Sequence, residues 1–150
     1  MAQLSLSEFA DKMNEVMPVI IKEFARRQAD ELYKGKITLP QFLILNFLNT
    51  QDESKMTDMA RFMRVTTAAM TGVVDRLVKY GYALRGFDAD DRRIIKIRLS
   101  QKGSELIRKI NQQRRRMIMR IFGRISETER QGYLKILMRI DDILTKGVPE

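Results

Sequence analysis

At Gly81 the periodicity of the chain changes, and this change constrains the fold more than any other feature. Before it, Met70, Val73, Val74 and Leu77 recur at i, i+3, i+4 and i+7, the stripe of an amphipathic helix opened by Thr66 as cap and closed by Gly81. After it, YALR at 82–85 and IIKIRL at 94–99 are rich in β-branched and aromatic residues and in alternation, with an acidic stretch between them. That pattern predicts a β-hairpin with a long tip. Upstream, Thr57 is placed to cap a short helix, DMARFM, which leads through a turn at Arg64-Val65 into the Thr66 helix. Two short helices joined by a tight turn make a helix-turn-helix, and a hairpin directly after it is a wing.

The flanks are helical. Ser5-Leu6-Ser7-Glu8 reads as a capping box ahead of Phe9, Met13, Val16, Ile20 and Phe24, a long helix from about residue 7 to the low thirties that Pro18 should kink and Lys34-Gly35-Lys36 should end. Thr38-Leu39-Pro40-Gln41 starts the next helix, with Thr38 as cap, Pro40 tolerated in the first turn and Gln41 able to reach back. FLILNFLN within it is apolar nearly all round and should be buried. From Ser100, Leu106, Ile110, Met117 and Ile121 mark one helix, and after Ser126-Glu127-Thr128-Glu129, Leu134, Leu137, Ile140 and Leu144 mark another. The predicted fold class is mainly α, with about six helices and a small β-hairpin wing.

Composition narrows the function. The 150 residues include no cysteine and no histidine, which removes disulfides, thiol switches, Cys/His zinc sites and histidine triads. No enzyme, cofactor or metal site is expected. The formal net charge is +9, and it is uneven: residues 1–54 carry fewer basic than acidic groups, whereas 55–102 hold eleven Lys/Arg against five Asp/Glu. A polyanionic partner follows, with nucleic acid favoured over anionic membrane. The N-terminus has acids where a signal peptide needs a basic end and an apolar run, so a cytoplasmic location is expected.

The segment VTTAAMTGVVDRLVKYGYALRGFDADDRRIIKIRLSQKG, residues 65–103, resembles the recognition helix and wing of the MarR-type (multiple antibiotic resistance regulator) winged helix-turn-helix transcription factors. Asp91-Arg92-Arg93, Leu99-Ser100-Gln101-Lys102-Gly103, and Asp75-Arg76-Leu77 with Gly81 carry the resemblance, which extends over nearly the whole chain. It implies one domain over 1–150, with a winged lobe at about 38–99 and helices at about 7–34 and 100–146 that intertwine in a homodimer. It also implies double-stranded DNA as partner, and often an effector pocket between the dimer helices and the DNA-binding lobe.

The expected function is a transcriptional regulator, a repressor on a pseudo-palindromic operator released by a small aromatic or amphipathic effector. A constitutive architectural DNA binder without a ligand is the alternative. With the apolar stripe turned inward, Thr67, Ala68, Thr71, Asp75 and Arg76 face outward, and short hydroxyl and methyl groups beside the capping Thr66 can approach base edges closely. By resemblance Arg93 is the wing residue that enters the minor groove, and Asp91 would hold its guanidinium. Arg92, Arg85 and Lys96 are candidate phosphate contacts. Asp88 and Asp90 have no such role and read as turn formers, with a divalent-metal site at Asp88, Asp90 and Asp91 as the alternative, lacking the Gly and terminal Glu of a calcium loop. Gly72, costly inside a helix, suggests close approach of the preceding helix or of a DNA strand. The Gln112-Gln113-Arg114-Arg115-Arg116 run reads as a solvated face or as inter-subunit ion pairs, and the ten methionines as core or as an adaptable pocket.

Overall fold

A computed structural model describes residues 4–27 and 36–147. They form α1 (Leu6–Arg27), α2 (Leu39–Asn49), β1 (Ser54–Lys55), α3 (Met56–Met63), α4 (Thr67–Lys79), β2 (Ala83–Phe87), β3 (Ile95–Leu99), α5 (Gln101–Phe122) and α6 (Glu127–Lys146). The chain divides into two compact units between Gln113 and Arg114. None of the described helices is long and apolar enough to cross a membrane.

The first unit holds the core. Phe42, Ile44, Leu45 and Leu48 of α2, Met59 of α3, Met70, Val74 and Leu77 of α4, Ile97 of β3, and Ile107 and Ile110 of α5 are buried together. Three predicted caps form. The Thr38 hydroxyl accepts the Gln41 N–H at 3.4 Å while Gln41 Oε1 accepts the Thr38 N–H at 2.8 Å, closing a capping box with Pro40 in the first turn. The Thr66 hydroxyl accepts the Ala69 N–H at 3.1 Å. At the start of α1, Ser5 and Glu8 pair reciprocally, and the Ser5 hydroxyl and N–H hold the Glu8 carboxyl below its ordinary range. Pro18 lies within α1. The expected stop at Lys34-Gly35 lies outside the described residues.

Two expectations are corrected. Thr57 does not cap the third helix: α3 begins at Met56 after Lys55, which makes no side-chain cap bond. The reason is the second correction. Ser54 and Lys55 form a strand, β1, antiparallel to β3, with Ser54 opposite Ile97 and Lys55 opposite Lys96. The hairpin is thus part of a three-stranded sheet ordered β1-β3-β2. Between α3 and α4 the chain turns through Arg64, whose φ of 54° is left-handed, and the Val65 N–H reaches the Ala60 carbonyl at 3.0 Å.

Gly81, at φ 77°, ends the α4 turn as expected. The Leu-Ser-X-X-Gly stretch acquires a mechanical reading. The Ser100 hydroxyl donates to the Gly81 carbonyl at 2.5 Å and accepts the Gly103 N–H at 3.0 Å, so it caps α5 and ties it to the end of α4. A Cβ on Gly103 would stand 2.0 Å from the Tyr82 carbonyl oxygen, so only glycine lets α5 approach the hairpin this closely.

In the second unit, the Ser126–Glu129 capping box opens α6, and Phe122 stacks on Tyr133 at 5.4 Å between ring centroids. Neither α1 nor α6 has a buried residue, although both carry long apolar stripes.

Candidate nucleic-acid interface

The exposed face of α4 begins with short side chains. Thr67 and Ala68 are open to solvent and flank the capping Thr66. Thr71, half-buried, donates its hydroxyl back to the Thr67 carbonyl at 2.9 Å, so its oxygen is left as an acceptor only. Gly72 is exposed, and a Cβ built there meets nothing within 4 Å. Close approach of the preceding helix therefore does not account for this glycine. Arg76 is exposed one turn further on.

The wing is held by two ion-pair systems with no local sequence signature. Asp75 of α4 pairs with Arg85 of β2, joining the helix to the hairpin. Arg85 is therefore already engaged by a carboxylate. On the other face of the sheet, Lys96 Nζ of the central strand lies 2.6 Å from Glu53 Oε1 and 2.8 Å from Asp88 Oδ2. Its side chain is only 23% exposed. The two carboxylates hold the Lys96 ammonium well above its ordinary pKa, and chiefly the Lys96 contact, with the loop N–H groups, holds the Asp88 carboxyl down at about 2. In this arrangement Lys96 of β3 is held by two carboxylates, joining the turn before β1 to the start of the wing loop.

The loop between β2 and β3 is organised by its aspartates. Asp88 Oδ1 accepts the N–H groups of Asp90 and Asp91 at 2.9 and 3.1 Å, which is turn formation by a short carboxylate. Asp88 is thus the turn former expected from the sequence, and its other oxygen holds Lys96. Among the described residues, no group of three His, Cys, Asp or Glu is placed to hold a metal ion. Asp91 Oδ1 accepts the backbone N–H of Arg93 at 2.9 Å, whereas the anticipated contact was to the Arg93 guanidinium. The short Asp side chain reaches the amide two residues on more readily than the end of a long exposed one. Among the described residues, the Arg92 and Arg93 side chains have no hydrogen-bonding or ionic partner, and both are exposed.

Thr67, Ala68, Thr71 and Arg76 therefore lie on α4 with Thr66 as its cap, and Arg85, Asp91, Arg92, Arg93 and Lys96 on the hairpin, with the Asp75–Arg85 pair linking the groups. Glu53 and Asp75 were missed as supports. Glu53 precedes Lys96 by 43 residues, and only the pairing of β1 with β3 brings them together.

An exposed α4, the short α3 packed beside it and a braced β-hairpin define a winged helix-turn-helix. Residues 37–95 match the MarR family, and over this winged helix-turn-helix segment the chain is similar to the MarR-family transcriptional regulators. It is 29% identical over 134 residues to the transcriptional repressor YetL of Bacillus subtilis (strain 168), spanning 89% of this chain and 75% of the relative. FabT of Streptococcus pneumoniae, solved in complex with DNA, superposes with a TM-score of 0.80 at 19% identity over 91% of this chain and 98% of its own. BpsR of Bordetella bronchiseptica, whose DNA binding is regulated by 6-hydroxynicotinic acid, superposes at 0.69 with 20% identity over 95% and 99%.

Proposed function

We propose that the protein is a homodimeric repressor whose α4 enters the major groove of a pseudo-palindromic operator while the wing enters the adjacent minor groove. The observation that carries this reading is the pairing of a small-residue helix face with a wing whose internal ion pairs leave Arg92 and Arg93 unpaired at the tip. A narrow minor groove concentrates negative potential and attracts such an arginine. Thr67 and Ala68 present a hydroxyl and methyls at the depth where base edges lie. FabT, which shares the fold, was solved in complex with DNA, and this supports DNA as the partner.

The apolar stripes of α1 and α6, exposed in a single chain, support burial against a second copy, with the segments at about 7–34 and 100–146 as the dimerising helices of a single 1–150 domain. Regulation by a small aromatic or amphipathic molecule is supported by the BpsR likeness. With no cysteine or histidine, thiol oxidation cannot be the trigger. A DNA partner implies a cytoplasmic location.

Selection of duplexes from a random library, followed by footprinting, tests the reading. Two protected half-sites about one helical turn apart, roughly 34–36 Å, are expected. Their loss on adding an aromatic acid supports effector control. A single unsymmetrical footprint, or binding indifferent to sequence, counts for a constitutive architectural binder and against an operator-specific dimer.

A further inference from the structure

The wing carries an aromatic residue that its own fold does not use. Phe87, the last residue of β2, is 66% exposed and is not part of the core cluster. In the β2–β3 register Ala83, Arg85 and Phe87 stand opposite Leu99, Ile97 and Ile95, so these six share one face of the sheet. Ala83 and Ile97 bury that face in the core, and Arg85 pairs from it to Asp75 of α4. Phe87 is the next residue along this face, beyond the Asp75–Arg85 pair and immediately before the loop that carries Arg92 and Arg93. It therefore lies between the helix and the wing tip.

The mixed charge around it gives a non-ionic contact a place at the tip. Residues 88–93 hold three aspartates against two arginines, so the tip alone is not cationic. Arg85 and Lys96 are paired with carboxylates within the protein. At the wing tip, attraction to phosphate rests on Arg92 and Arg93, and an apolar surface beside them adds contact of a different kind.

Resting on the DNA-binding reading above, we infer that Phe87 contacts duplex DNA directly. Its ring packs on the deoxyribose of the strand that separates the groove entered by α4 from the groove entered by the wing. The C–H faces of the sugar are the apolar part of the backbone and accept an aromatic ring without a hydrogen bond. Such a contact releases no counterions, so it contributes affinity without salt dependence.

The experiment uses the full chain and a fluorescein-labelled duplex recovered by the wild type from a random library, titrated by anisotropy at several KCl concentrations. Phe87→Ala is expected to weaken binding about ten- to a hundredfold, the effect of losing a buried aromatic contact, and Phe87→Leu is expected to restore part of it. The slope of log affinity against log salt should stay unchanged in Phe87→Ala, while Arg93→Ala lowers it by about 0.9. Thermal unfolding should be the same for wild type and Phe87→Ala, which a merely structural role would not allow. Wild-type binding with Phe87→Ala equally tight overturns this inference alone, as does a flattened slope in Phe87→Ala, which would mean the ring only positions Arg93. Altered self-association in sedimentation at unchanged DNA affinity assigns the ring to a protein contact and also overturns it. Failure of the wild type to select any duplex overturns the DNA reading and this inference together.

Discussion

At the scale of single residues, the wing tip depends on which donor a carboxylate meets. Asp91 satisfies the Arg93 amide and leaves the guanidinium projecting, so the acid shapes the loop without consuming the cation's charge. This separates geometry from charge in a way mutation can read. Asp91→Asn keeps an oxygen acceptor at the same reach and removes a negative charge near DNA, and it should bind the selected duplex at least as tightly as the wild type. Asp91→Ala removes the acceptor and should weaken binding by about 1–3 kcal/mol, comparable to Arg93→Ala, with the double variant costing much less than the sum because both act on one loop. Anisotropy titration of the four proteins decides this. Tighter binding by Asp91→Ala would mean that the charge, not the acceptor, is what matters there.

At the scale of elements, the junctions set the geometry. The Ser100 hydroxyl joins the end of α4 to the start of α5, and the missing side chain of Gly103 lets α5 lie against the Tyr82 carbonyl. Gly103→Ala should destabilise the protein by about 1–3 kcal/mol or more, because a backbone atom must move to admit the methyl. Gly72→Ala is its control. The site is open, so the change should stabilise α4 by about 0.5–1 kcal/mol through lower chain entropy. Urea unfolding measures both. If Gly72→Ala gains stability and loses DNA affinity, the glycine is there for the DNA strand. The Glu53–Lys96–Asp88 bridge is the other junction, fastening the turn before β1 to the base of the wing.

At the scale of the whole molecule, the proposed dimer rests on the exposed apolar residues of α1 and α6. Ile20 and Val16 on α1, and Leu137, Ile140 and Leu144 on α6, recur at helical spacing and remain solvent-exposed in one chain. Introducing a charge there by Leu137→Lys should raise the dimer dissociation constant by at least about a hundredfold, the effect of about 3 kcal/mol, and lower operator affinity with it. Sedimentation velocity follows the first effect and anisotropy the second. Circular dichroism should show the helical content of the winged lobe retained. A monomeric wild type at micromolar concentration with an undiminished footprint would refute dimerisation through these helices.

What the sequence determined by itself is what neighbours within about four residues decide. The Thr38 and Ser126 capping boxes, the Thr66 cap, the Met70–Val74–Leu77 stripe and the change of period at Gly81 all depend on local hydrogen bonding and side-chain spacing, and each stands in the fold as read. The Asp91-Arg92-Arg93 stretch of the wing was singled out by resemblance to the MarR-type wing and not by local hydrogen bonding. Only the tertiary structure decided which charges remain available. Arg85 meets Asp75 ten positions away because the hairpin packs back beside α4, and Lys96 meets Glu53 across 43 because β1 pairs with β3. The two-residue strand β1 was invisible in the sequence because so short a run has no periodicity, and it shifted the start of α3 from the capping Thr57 to Met56. A basic residue type announces a charge, but whether that charge faces a phosphate or a carboxylate depends on the distances set by long-range packing.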